Sequence, residues 1–451
     1  MFKKIISVCL VMMLTACAVP GLSESSGEDF ATQFAKDLMA GEKSTELYAL
    51  FSDTVKAQLP ETVFGSIWGQ VTAQFGAFQS FGETTVQEAN GMTAYLLPLN
   101  MEKDTLIMQL VVNGEGKVEG FNFTKPQATA KPVSEEQVKL PEGIVEEEIT
   151  VGEGEWALPG TLTLPASGNS FPAVVLVQGS GAHDRDESVG GTKVFRDIAW
   201  HLAQNGIAVL RYDKRTYVHS TKFTQDLVSS LSVEEEVIQD AILAGNLIKS
   251  DSRINGEKIF LLGHSLGAMM GPRIASQSDG LFAGMLLVAG TPLKLTDIIV
   301  AQNEAALSKL SLDMQAAQRP ALDAEMEKLE KLSAMKPEEA KATTLFGQPA
   351  YYFYEMNQVD TAQKVLDLQI PTLIIQGGKD FQVTVENGLN AWKTALGEPD
   401  YVTYKLYPEL NHLMMVYTGD ASYQGSVAEY DTPANLSEEA AKDMVEWILA
   451  H

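Results

Sequence analysis

Cysteine is nearly missing from this chain. Of 451 residues only Cys9 and Cys17 carry a thiol, so the body of the chain can form no disulfide framework and holds no cysteine nucleophile or thiolate ligand. Histidine is scarce, with six, and none stands in an H-E-x-x-H pattern or another ligand-spaced cluster. Neither a metal nor another cofactor is implied. Positive charge is short as well: 33 Lys and Arg face 59 Asp and Glu, a formal net charge of −26. Such a surface repels nucleic acid and anionic lipid headgroups. No apolar run reaches the roughly 20 residues that a membrane-spanning helix needs, the stretch from Ile5 to Leu14 being too short.

What is present is concentrated in one place. Ile259-Phe260-Leu261-Leu262 is an apolar strand pattern that leads into Gly263-His264-Ser265-Leu266-Gly267, a G-x-S-x-G turn, and then into a helical pattern from Leu266 to Gln277. At a sharp strand-to-helix turn a serine backbone is strained and the residues two before and two after it must be nearly free of side chain. Gly263 and Gly267 meet that need and leave the Ser265 Oγ above the sheet as a candidate nucleophile. Pro272 predicts a kink in the helix.

A base and an orienting acid follow downstream. The buried-strand run Pro371 to Gln376 ends in Gly377-Gly378-Lys379-Asp380, and a further run, Val402 to Tyr407, ends in Pro408-Glu409-Leu410-Asn411-His412. One helix (Val383 to Leu396) and one strand separate Asp380 from His412, which puts both on neighbouring loops at the edge that carries Ser265. His412 would take the serine proton, and Asp380 would fix its tautomer. The oxyanion of a tetrahedral intermediate needs two N–H donors. Leu266, just after the nucleophile, offers one. The strand Ala173 to Val177 ends in Gln178-Gly179-Ser180-Gly181, where the N–H of Ser180 offers the other.

On these residues the chain resembles the α/β-hydrolase superfamily from about Ile144 to His451. Gln178 to Asp186 and Leu210-Arg211-Tyr212-Asp213-Lys214-Arg215 are similar to the branch of bacterial esterases and serine-aminopeptidase-like hydrolases with a G-S-G-P-x-D-R-D loop and an R-Y-D-K-R-G turn. Two departures stand out: Ala182 replaces the usual proline, and Thr216-Tyr217 replace the usual glycine. Asp184, Arg185 and Asp186 are expected to brace their loop by salt bridges. His183 is expected to line the site, His264, the variable residue of the elbow, to shape the pocket or the helix, and His201, His219 and His451 to have no catalytic part.

The organisation expected around this core has several parts. Met1 to Cys17, with Lys3-Lys4, an apolar core and Leu14-Thr15-Ala16-Cys17, resembles a bacterial lipoprotein signal, which implies loss of residues 1–16, diacylation of Cys17 and a tether over 17–27. Residues 28–125 read as a small α+β domain. Phe30, Phe34, Leu38 and Val63, Ile67, Val71, Phe75 recur every four residues, and period-two runs follow: Thr84 to Gln87, Thr93 to Leu97, Thr105 to Val112 and Lys117 to Phe123. Helices followed by a curved antiparallel sheet resemble an NTF2-like cone. A proline-bearing linker spans 126–141. The hydrolase follows over 142–451, as an α/β sheet with a helical cap inserted at about 291–368, where long helices are expected from Ile298 to Leu312 and from Leu322 to Met335.

Three function classes fit. One is an extracytoplasmic, lipid-anchored serine hydrolase that cleaves small-molecule carboxylic esters through an acyl-enzyme on Ser265. Another is a peptidase of the same fold that cleaves short peptides. The third is a non-catalytic binding lipoprotein. The complete set Ser265, Asp380 and His412 favours the first two, and the lack of an evident acidic pair to grip a substrate amine favours esters, with Glu409 and the Asp184/Asp186 loop left open as candidates for that grip.

Overall fold

The computed structural model describes residues 28–52, 55–56, 59, 61–89, 92–124, 139–308, 312–419 and 434–451; Cys17, the expected signal and most of the expected linker lie outside the described residues. The chain divides into two units, one within Met1–Lys131 and Leu307–Glu327, the other within Pro132–Ala306 and Lys328–His451. No described helix is long and apolar enough to cross a membrane.

In the first unit the helices Glu28–Ala40, Ser44–Ala49 and Glu61–Phe75 precede the strands β1 (Phe78–Phe81), β2 (Thr85–Ala89), β3 (Met92–Met101), β4 (Thr105–Asn113) and β5 (Val118–Thr124). The ladder runs β1-β3-β4-β5, with β2 on the other half of β3, all antiparallel. Strand β4 alternates between buried and half-buried at every residue, the signature of a sheet with one face on a core. That core is aromatic: Phe34, Phe51, Phe64 and Phe121 meet ring to ring, Phe51 and Phe64 edge-on at 5.0 Å. Strand β1 is an addition to the expected set.

The second unit is built on an eight-stranded sheet. Its strands are β6 (Ile144–Val151), β7 (Leu158–Pro165), β8 (Phe171–Val177), β11 (Ala208–Tyr212), β12 (Ile254–His264), β13 (Gly284–Val288), β16 (Thr372–Gly377) and β17 (Val402–Tyr407); two small ribbons, β9 with β10 (188–189 and 192–193) and β14 with β15 (344–345 and 348–349), stand apart from it. The order is β17-β16-β13-β12-β8-β11-β7-β6, parallel from β17 to β11 and antiparallel at both β7 pairings. Ala173, Val175 and Val177 belong to one hydrophobic cluster, Val174 and Leu176 to another. Because neighbours on a strand point to opposite faces, a strand apolar at every position has to be covered on both. Each fully buried Val or Leu contributes about 1.5–3 kcal/mol. In a parallel sheet all strands end at one edge, and the segments that follow β8, β12, β16 and β17 converge there.

Two expectations need correction. The second long helix of the insertion runs Leu312–Leu332 with Pro320 inside it, whereas the sequence placed its start after that proline; a proline removes one backbone donor, and here the helix continues past the gap. The helices expected from Val233 and Val383 open instead as single π-helical turns, Glu234–Ile238 and Glu386–Asn390, before the α-helices Gln239–Lys249 and Ala391–Leu396. In chain order the helices Leu295–Leu307 and Leu312–Leu332 follow the sixth strand of the sheet and precede the seventh, and Pro272 lies within the helix Leu266–Gln277.

Candidate active site

Strand β12 ends at His264, and Ser265 takes φ 53° and ψ −113° before the helix begins at Leu266. A non-glycine residue in the left-handed region costs roughly 1–3 kcal/mol and persists only where its surroundings over-determine it. Here they do. The Ser265 N–H donates to the Val288 carbonyl at 2.9 Å, and its own carbonyl accepts from Met269 N–H at 3.0 Å. A Cβ on Gly263 would fall on the Gly267 carbonyl, and a Cβ on Gly267 would fall on the carbonyl of Val177 at the end of β8, so both positions require glycine for close approach. Since the first intrahelical bond starts at Met269, the N–H groups of Leu266, Gly267 and Ala268 are left at the positive pole of the helix.

Asp380 and His412 are joined directly. His412 Nδ1 lies 2.8 Å from Asp380 Oδ2, with both residues 3 % exposed. Asp380 Oδ1 accepts the N–H groups of Gln382 and Val383, each at 2.9 Å, and Gln376 Nε2 donates to Oδ2 at 3.0 Å. Buried, multiply bonded and held from three directions, the carboxylate has one orientation. The turn that carries His412 is built by buried Asn411, whose Oδ1 accepts from Leu413 N–H and Met415 N–H. A Cβ on Gly377 would fall on the carbonyls of Leu410 and Asn411, and that close approach lets the Asp380 and His412 loops touch.

The loop after β8 is pinned group by group. The Gly179 N–H donates to Glu187 Oε1 at 2.6 Å, the Gly179 carbonyl accepts from Lys214 Nζ at 2.9 Å, and the Ser180 carbonyl faces His183 Nε2 at 2.8 Å. Gln178 Nε2 donates to the Tyr212 carbonyl. In a trans peptide the N–H points opposite to the preceding carbonyl, so Lys214 fixes the plane of the Ser180 N–H, for which no acceptor stands among the described residues. Gly179 also borders the serine: a Cβ there would sit 3.2 Å from Ser265 Cβ. Burial holds the His183 imidazole below its ordinary range; as a neutral ring facing a carbonyl it carries its proton on Nε2.

Lys214 belongs to a buried chain that reaches the insertion. Its ammonium meets Glu236 Oε1 at 2.8 Å, and the hydroxyl of Tyr352 donates to Glu236 Oε2 at 2.7 Å. Lys214→Met would strand the Glu236 carboxylate in the interior, and removing one partner of a buried pair costs about 3–5 kcal/mol. A fall of that size in unfolding free energy is the expected result in a denaturant titration. Tyr352 lies on the helix Ala350–Met356, where Phe353 is buried and Tyr351 stacks on Tyr354 at 6.2 Å. Of the four adjacent aromatics Phe353 is thus buried and the three tyrosines are half-buried.

Asp184, Arg185 and Asp186 do brace their loop, through partners on β11, its following turn and nearby segments. Arg185 forks onto Asp213 and reaches Glu148, Asp186 meets Arg211 and Lys193, and Asp184 accepts from Ser188. The two motif segments are therefore one ionic network. His201 lies on the helix Val194–Gln204, and His219 faces the Ala157 carbonyl and packs edge-on to Trp156.

His264 departs most from its expected role. Fully buried, it has Nδ1 at 3.0 Å from Glu187 Oε1 and Nε2 at 3.0 Å from the His412 carbonyl. Burial alone would push this imidazole down, but the Glu187 carboxylate, with the His412 carbonyl and Asp380, holds the ring above its ordinary range. Burial likewise pushes Glu187 up, while His264, His183 and the Gly179 N–H hold it below the usual carboxylate range. Sequence reasoning missed Glu187, although it directly follows the D-R-D run.

Comparison with known proteins identifies a family and relatives of this chain. Residues 172–417 match the family described as "Serine aminopeptidase, S33", and residues 31–121 match a family described as "Protein of unknown function (DUF3887)". The chain is 34% identical over 399 residues to "Esterase EstD" of Thermotoga maritima, covering 88% of this chain and 90% of that one. Among solved structures it is similar to Est1E from Butyrivibrio proteoclasticus, at 14% identity over 67% of this chain and 99% of that one with a TM-score of 0.42. An esterase from Pyrococcus furiosus gives 14% identity over 68% and 91%, also at 0.42. The chain belongs to the serine aminopeptidase S33 family and is a serine-type hydrolase of the α/β fold.

Proposed function

We propose that the protein hydrolyses small carboxylic esters through an acyl-enzyme on Ser265, with His412 as general base and acid and Asp380 as the group that orients it. The observation that carries this is the buried 2.8 Å contact of His412 Nδ1 with Asp380 Oδ2, set at the sheet edge where the strained Ser265 turn also emerges. In this mechanism Ser265 Oγ attacks the ester carbonyl as its proton passes to His412 Nε2. The N–H groups of Ser180 and Leu266 receive the oxyanion. His412 then protonates the leaving alcohol, and water attacks the acyl-serine by the same route in reverse.

Ester rather than peptide bonds are supported by the commitment of nearby acids. Asp184 and Asp186 are taken up by Ser188, Arg211 and Lys193, which removes them as grips for a substrate amine. The similarity to an esterase points the same way. A panel of p-nitrophenyl esters beside aminoacyl-nitroanilides tests it: turnover of the esters is expected, and turnover confined to the nitroanilides would sink the proposal in favour of a peptidase.

For location we propose a lipid anchor on Cys17 facing the outside of the cell membrane, supported by the Leu14-Thr15-Ala16-Cys17 sequence and by an acidic chain that has no electrostatic attraction to anionic lipid. Cys17→Ala is expected to abolish incorporation of radiolabelled palmitate. Incorporation at the wild-type level would show that the anchor lies elsewhere.

A further inference from the structure

We propose that Glu187 and His264 form a buried ion pair that positions the three catalytic segments relative to one another: the oxyanion loop at Gly179, the elbow at Ser265 and the turn at His412. The inference rests on the proposed roles of Ser265, His412 and the Ser180 N–H. Its basis is a continuous path of contacts. Glu187 Oε1 accepts the Gly179 N–H at 2.6 Å and meets His264 Nδ1 at 3.0 Å; His264, joined by a peptide bond to Ser265, reaches the His412 carbonyl with Nε2 at 3.0 Å. Glu187 is 1 % exposed and His264 3 %. No other pair of side chains described above touches all three segments.

Hydrogen-bond chemistry sets the charge state. A carbonyl only accepts, so His264 Nε2 carries a proton. An ionised carboxylate that already accepts from Gly179 also only accepts, so Nδ1 carries a second. His264 is then an imidazolium and Glu187 its carboxylate. The titratable side chains facing them are His183, a neutral ring that neighbours both, and Asp380, whose carboxylate acts on His264. Because the pair is neutral as a whole, it fixes positions without adding net charge beside the His412 ring, whose centroid is 4.8 Å from that of His264.

The pair also carries two costs that packing alone does not call for. Glu187 holds φ 47°, in the left-handed region, and its Oε2 is buried with no partner among the described residues. An apolar pair of the same volume would fill the space without either cost. It could not bond to Gly179 N–H and the His412 carbonyl together. Glu187 and His264 are therefore positioning residues, acting through the peptide of Gly179 and the backbone of His412, and do not themselves touch the reacting atoms.

The test uses the full chain with ¹⁵N-labelled histidine, which gives only six imidazoles to assign. At pH 8, where solvent-exposed imidazoles are neutral, one ring is expected to keep protons on both nitrogens, and its signals should vanish in His264→Gln. A single proton on the His264 ring would overturn the ion pair. In parallel, kcat per active site is measured for Glu187→Gln, normalised by fluorophosphonate titration so that unfolded molecules do not count. A fall of about 10- to 100-fold with KM within about twofold is expected, below the outright loss of an oxyanion donor. An unchanged kcat per site would reduce the pair to a structural role. Should Glu187→Gln not fold, the wild-type spectrum still decides the charge state. Should wild type take no fluorophosphonate label at all, the reading of Ser265 fails instead, and the spectrum remains independent of it.

Discussion

Asp380→Asn is expected to lower kcat about 10⁴-fold while leaving the fold in place. The hydrogen bonds on this side chain say why so small a change is so costly. Two backbone donors, Gln382 N–H and Val383 N–H, face Oδ1, so the amide oxygen of asparagine must take that position. Its NH₂ group then faces His412 Nδ1. An amide donor there forces the imidazole to accept on Nδ1 and to carry its proton on Nε2, which in the proposed mechanism is the nitrogen that receives the serine proton. The NH₂ would also confront Gln376 Nε2, another donor. Steady-state kinetics with a p-nitrophenyl ester checks the expectation, and a variant that kept most of its activity would mean that another carboxylate orients the base.

Ser265→Ala is expected to have the largest effect, a loss of about 10⁶-fold in kcat, because no acyl-enzyme can form without the hydroxyl. Combining it with His412→Ala should cost little more than either change alone. Groups that act as a unit are grossly non-additive: once the nucleophile is gone, the base has nothing to activate. Two full, additive losses would show that Ser265 and His412 serve separate steps. The residual rate of the single variant, set by whatever the Ser180 and Leu266 N–H groups contribute, gives a separate measure of the oxyanion site.

Much of this site could be read from the sequence because its signals are local. A G-x-S-x-G turn between an apolar strand and a helix declares itself within a dozen residues. The hydrogen bond between His412 and Asp380 joins residues placed at one sheet edge by counting strands. The doubly covered sheet was legible for the same reason, since β8, β13 and the Ile259–Leu262 stretch of β12 are apolar without alternation. Glu187, His264 and Lys214 were not legible. Each acts through partners distant in sequence, His264 through residues 77 and 148 positions away, and nothing beside Glu187 marks it as different from the paired acids before it. Strand β1, the π-helical turns and the helix through Pro320 were missed because tertiary packing overrides local propensity at short elements and at breakers.

The central claim is that Ser265 is the nucleophile of a serine hydrolase, and covalent labelling tests it most directly. A fluorophosphonate probe reacts with an activated serine, and peptide mass spectrometry locates the adduct. A single adduct on the peptide containing Ser265, absent in His412→Ala, is the result expected here. Label on another residue, or none on the active wild-type protein, would contradict it.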